Sequence, residues 1–158
     1  MTIEETKDVV IGDKRYRIGR VSSDVGSYLL FQVIASIRAE MAKHTGDEPE
    51  QAEPESEKSE KEKRKEVENA TRGMIQNMLM SLDQEPFSRI QKHALSVCGQ
   101  YTAIGEVETI LPLVMATGKI AIPSLKYDIQ TVVALTSESL FFNLSPFFSN
   151  GGFQAILN

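Results

Sequence analysis

Polar and apolar positions alternate at the start of the chain and then switch to a helical rhythm. Lys7–Ile11 and Lys14–Ile18 are β-prone runs on either side of Gly12-Asp13, with Val10, Tyr16 and Ile18 at strand spacing. The small turn pair lets the chain reverse, which predicts a hairpin. Ser22 or Ser23 suits an N-cap, and from there the period changes. Val25, Leu29, Leu30, Val33, Ile34, Ile37 and Met41 recur at helical spacing, predicting a helix from Asp24 to about Lys43. Tyr28 and Phe31 widen its stripe, which predicts packing on two neighbours.

The helical rhythm returns over Lys61–Leu82, with Val67, Ala70, Met74, Ile75, Met78, Leu79 and Leu82 as the inward stripe. Glu57/Lys61, Glu60/Arg64 and Glu68/Arg72 are oriented i,i+4 pairs for its outer side. Asp83 can cap a third helix that tolerates Pro86 in its first turn and stops at Gly99, with Phe87, Ile90, Ala94 and Val97 inward. Tyr101–Ile122 is ambiguous: Ile110–Met115 and Lys119–Ile122 read either as short strands or as part of a helix and a turn. A last helix starts at Pro123-Ser124, runs through Leu125, Ile129, Val132, Val133, Thr136 and Leu140, and ends near Asn143 because Pro146 disfavours helix before it. The predicted class is α+β and mainly α-helical. An N-terminal β-hairpin leads into a small bundle of roughly four helices.

Charge locates the one clear boundary. Asp47–Glu62 holds eight acids and two lysines, with Ala52 its only aliphatic side chain and Pro49 and Pro54 against helix. Such a stretch buries too little surface to offset ordering entropy. Residues 44–60 are therefore expected to be an acidic disordered insertion, between a hairpin-plus-helix unit over 1–43 and the helical remainder of the same domain over 61–143. The final piece, 144–158, reads as an aromatic tail. The insertion serves either as a solubilising loop or as a contact for a basic partner. Of 158 residues 17 are basic and 22 acidic, a net charge of -5, and outside Asp47–Glu62 the balance is near neutral. A generic polyanion binder needs a basic face, so nucleic acid is not an expected partner. No segment has the roughly 18 apolar residues that crossing a membrane takes. The first eight residues contain no apolar stretch, so no secretory signal is expected.

Candidate chemistry is sparse. The single cysteine, Cys98, permits no internal disulfide and no cysteine-rich zinc site. His93 and Cys98 would stand about 140° apart on one helix, too far round for a catalytic pair. His44 has no second ligand at metal spacing. Gly118-Lys119 fails as a phosphate loop, because Leu113 stands where the first glycine belongs and Ile120 replaces the Ser or Thr. Glu106 and Glu108 share a strand face but are expected at a solvated edge, and Lys61, Lys63, Arg64 and Lys65 alternate with glutamates as a solvated helix face does. No cofactor, metal site or enzymatic activity is expected.

Aromatic residues are unevenly placed. Phe141, Phe142, Phe147, Phe148 and Phe153 are five of the seven phenylalanines. Phe141 and Phe142 diverge by about 100° on a helix, and Phe147 and Phe148 by more if extended, so neither doublet points both rings along one inward line. A fully buried Phe contributes roughly 1.5–3 kcal/mol, so several docking together would offset much of the cost of association. Phe141, Phe142, Leu144, Pro146, Phe147 and Phe148, with Met74 and Met78 as adaptable neighbours, are the candidate partner-contact residues. The competing reading is that the segment folds back to close the protein's own core.

The run Val10-Ile11-Gly12-Asp13-Lys14-Arg15-Tyr16-Arg17-Ile18-Gly19-Arg20, leading through Val21-Ser22-Ser23 into a helix, resembles the N-terminus of tail assembly chaperones of long-tailed, siphovirus-like bacteriophages. So does the ending, a helix from Leu125 into Leu140-Phe141-Phe142-Asn143-Leu144-Ser145-Pro146-Phe147-Phe148. Together they cover about a third of the chain. The resemblance implies a non-catalytic factor of the host cytoplasm that binds the tape measure protein until tail tube subunits polymerise around it, and that is absent from the mature virion. The tail tube protein is then a second candidate partner and self-association a third. The family often makes a longer frameshifted product as well. The alternatives are a structural virion component, such as a head–tail connector or tail terminator, and a small regulatory adaptor.

Overall fold

The structure is a computed structural model and describes residues 5–43 and 60–149. Residues 44–59 of the expected acidic insertion and the end of the chain with Phe153 lie outside those residues, and Glu60 belongs to a helix. Strands β1 (Thr6–Ile11) and β2 (Lys14–Gly19) form the expected hairpin, in register Lys7↔Ile18, Val9↔Tyr16 and Ile11↔Lys14. Gly12 turns the chain at φ +65°, a conformation L side chains resist. Helix α1 (Ser23–Lys43) follows, and Ser22 caps it, its hydroxyl accepting from the Val25 N–H at 3.4 Å. Phe31 is 67% exposed, so the widened stripe expected of this helix is narrower than the sequence suggested. Helices α2 (Glu60–Ser81) and α3 (Gln84–Leu95) come next.

Two expectations need correction in the second half. First, α3 stops at Leu95, not at Gly99, and Cys98 opens strand β3 (Cys98–Ile104), which pairs with β4 (Val107–Pro112) through a turn at Gly105. The free edge of β2 is what converts this stretch to strand: Tyr16 faces Gln100, Ile18 faces Cys98, and the Gly19 N–H donates to the Val97 carbonyl at 2.8 Å. Gly99 is a glycine for a sheet reason. A Cβ there would sit 2.4 Å from Ile110 Cγ2 and 3.1 Å from the Leu111 carbonyl oxygen. The result is one antiparallel sheet in the order β1-β2-β3-β4. Its outer face is a polar ladder: Glu108 pairs with Arg15, Arg15 stacks 3.9 Å from the Tyr101 ring centre, and the Tyr101 hydroxyl donates to Asp8 at 2.9 Å. An antiparallel sheet with one wet face follows this pattern.

Second, only Pro123–Leu125 turns at the expected start, as a single 3-10 turn, and the last helix, α4, runs Ile129–Ser149 straight through Pro146. Proline removes an N–H and orphans the carbonyl four residues back, here that of Phe142. Arg20 Nη1 donates to that same oxygen, so the break is repaired from another part of the chain. The helix is further tied to the β2–α1 connection through Asn143, which accepts from the Val21 N–H at 2.9 Å and donates to the Gly19 carbonyl at 3.2 Å. Residues 144–149 are thus part of α4.

Beyond its first turns helix α4 lies between two apolar clusters, which is why its apolar residues are not confined to one stripe. On one side Leu140, Phe141, Leu144 and Phe148 meet Leu29, Val33, Ile75, Met78, Leu79, Ile90 and Ala94 of the other helices. On the other, Leu135 and Phe142 meet Tyr16, Ile18, Cys98, Leu113 and Leu125 over the sheet. The divergence of Phe141 and Phe142 sends one ring into each cluster. Buried hydroxyls between the layers are satisfied: Ser139 donates to the Ala94 carbonyl at 2.6 Å and Thr136 to the Val132 carbonyl at 2.8 Å.

Candidate functional site

The residues singled out for partner contact fall mostly inside the protein. Phe141, Phe142, Leu144, Phe148 and Met78 are buried, and Met74, Pro146 and Phe147 are half-buried. Phe147 and Phe148 meet edge to face, their ring centres 5.5 Å apart. Guanidinium groups cover the remaining ring surface, that of Arg72 at 4.0 Å from the Phe141 ring centre and that of Arg20 at 3.7 Å from Phe142. Arg72 also pairs with Glu138 on α4, across to another helix rather than along its own to Glu68. What these rings leave open is a hollow of about 330 Å³ where Lys7, Val67 and Thr71 face Ser145.

A larger concave surface lies at the other end of α4. Phe87, Gln91 and Leu95 stand at i, i+4 and i+8 on α3, and Ile129, Val132 and Val133 face them from the first turns of α4. Met115 and Ile120 close one side. The larger hollow has a volume of about 780 Å³, and an adjoining one of about 260 Å³, lined by Phe87, Ile129 and Val133, shares Gln91, Ile120, Lys126 and Val132 with it. Ile129 is 76% exposed and Tyr127 beside it 85%. Lys92, Lys119 and Lys126 line the rim.

Local folding explains this shape. After β4, the Leu113 N–H donates to the Cys98 carbonyl at 3.1 Å and the Ala121 N–H to the Leu113 carbonyl at 2.7 Å, holding 113–121 as a narrow loop. Gly118 turns its tip at φ +86°, and a Cβ there would come within 3.0 Å of the Lys92 methylenes. Asp128 then caps α4, accepting from the Thr131 N–H at 3.1 Å and its hydroxyl at 2.8 Å. Those bonds hold the Asp128 carboxyl below its ordinary value. Sequence reasoning ran the last helix through Ile129, Val132 and Val133 and did not mark any of them as open surface. The adjacent Val132-Val133 pair was the available signal, because one core-facing stripe cannot take both.

Reactive groups are not gathered here. Burial pushes the Cys98 thiol up to about 12, against a smaller opposing effect of a Ser139 hydrogen bond, and Sγ donates to the Ala94 carbonyl at 3.4 Å. His93 meets the Tyr28 ring edge-on at 5.7 Å. Among the described residues no cluster of three or more His, Cys, Asp or Glu could hold a metal, and no helix is long and apolar enough to cross a membrane.

Fold and surface together define a small antiparallel α+β protein that presents an open apolar groove. The chain belongs to the phage tail assembly chaperone protein family, TAC, whose model matches residues 12–154. No curated protein and no solved structure matches it. The two stretches whose resemblance pointed to such chaperones touch in the structure, through Arg20 on Phe142 and Asn143 on Gly19 and Val21.

Proposed function

We propose that the protein acts without catalysis as a tail assembly chaperone that binds the tape measure protein in the host cytoplasm. It keeps this client soluble until tail tube subunits assemble around it, and is then left out of the virion. The observation that carries the reading is the family match across 12–154. The exposed apolar groove supports it, since an amphipathic helical client needs such a surface. The Phe-rich end of α4 contributes by building the body that displays this surface, its open edge at the hollow of about 330 Å³ beside Phe141 and Phe142 offering at most a secondary contact with the client or the tube protein.

Co-expression tests this. The tape measure protein is expected to be insoluble alone, and soluble and co-eluting when the chaperone is present. Mass spectrometry of purified particles should lack the chaperone. Unchanged client solubility, or the protein present in particles at ring stoichiometry, would overturn the reading in favour of a connector or terminator.

A further inference from the structure

The rim of the α3–α4 groove carries a charge opposite to that of the whole chain. Net charge is -5, yet Lys92, Lys119 and Lys126 all line the groove, and none of them is in an ion pair among the described residues. The carboxylate alongside, Asp128, is engaged by Thr131. Phe87 of α3 and Ile129, Val132 and Val133 of α4 supply apolar lining with the polar Gln91 among them, and an α-helix about 10–12 Å across is the element that lies along a trough between two helices. We infer that this groove seats the apolar face of a client helix whose flanking positions are acidic, with Lys92, Lys119 and Lys126 selecting the sign of charge. The inference rests on the chaperone reading above and adds the site and the chemistry of the segment it takes.

The test uses the full chain and two labelled amphipathic peptides of about 18 residues, roughly five turns. Both carry the same leucine face, one with glutamate flanks and one with lysine flanks. Fluorescence anisotropy should show the acidic peptide binding about tenfold tighter at low salt, with the gap closing as salt rises. Val133→Glu and, separately, Ile129→Glu should each weaken binding at least about tenfold without moving the thermal melt, both side chains being exposed. Lys119→Glu with Lys126→Glu should reverse the preference between the peptides. Equal affinity for both peptides, or binding indifferent to Val133→Glu and Ile129→Glu, would overturn the inference. So would a Val133-dependent dimer in sedimentation velocity, which would make a second copy the occupant. Binding that emerges only after deletion of residues 47–59 would assign the groove to the chain's own acidic stretch and overturn it too. The tape measure protein is co-purified with the same variants. If wild type and Val133→Glu retain it equally, the groove assignment fails and the chaperone reading stands. If wild type fails to retain it while the peptides behave as expected, the chaperone reading fails alone.

Discussion

Arg20 and Pro146 should be energetically coupled. Pro146 denies the Phe142 carbonyl its helical partner, and the Arg20 guanidinium supplies one while stacking 3.7 Å from the Phe142 ring centre. Arg20→Met removes a charge-assisted hydrogen bond worth about 1.5–3 kcal/mol and leaves that oxygen in a half-buried site. It also forfeits the cation–π contact, about 0.5–2 kcal/mol. In a Pro146→Ala background the residue-146 N–H can reach the Phe142 carbonyl, so the hydrogen-bond share of the loss should largely vanish. The cation–π share remains in both backgrounds and cancels from the cycle. A coupling energy of about 1.5 kcal/mol is expected. With a urea slope of about 2 kcal/mol/M, Arg20→Met should move the midpoint about 0.7 M less when Pro146 is already replaced. Urea unfolding followed by circular dichroism at all four corners measures this. Additivity within about 0.5 kcal/mol would refute the idea that Arg20 repairs the proline break.

Phe142→Ala, which empties part of the sheet-side cluster, should cost about 3–5 kcal/mol, whereas Phe31→Ala on exposed α1 surface should stay within about 0.5 kcal/mol; urea midpoints compare them. Because burial holds the Cys98 proton up to about pH 12, its contribution is complete below the unfolded value near 9.0 and is lost as pH rises toward 12. Stability should therefore fall over that window by less in Cys98→Ala than in wild type. Asp128 has the opposite sign. Thr131 lowers its value from 3.8, so its contribution is present above the unfolded value and is lost as pH falls through the depressed folded one. Asp128→Asn keeps a capping acceptor without a charge, and its midpoint should converge on that of wild type as the buffer is acidified.

The hairpin, the four helices and the mixed class were legible in the chain because each depends on local period and turn chemistry. Tyr16 and Ile18 stand at strand spacing and are buried, whereas Val10, read with them, faces out beside Arg15; Leu29 and Val33 repeat at helical spacing, and Gly12 marks the reversal. The aromatic concentration was legible too, along with the geometric fact that neighbouring rings on a helix diverge. What that divergence means was not local. It sends Phe141 and Phe142 outward only if α4 has a single neighbour, and tertiary structure gave α4 two. Pro146 reads as a helix end until Arg20, 122 residues away from Phe142 in sequence, reaches the orphaned carbonyl. Gly99 reads as a helix stop until the edge of β2 turns its surroundings into sheet. The groove was hidden for the same reason, since the spacing that makes Ile129 and Val133 helical does not say that they stay exposed. Short-range pattern determines which elements form, because their hydrogen bonds and turns close within a few residues. Which faces are covered, which carbonyls find donors and where apolar surface stays open depend on groups brought together from distant parts of the chain, and only the packed structure decides them.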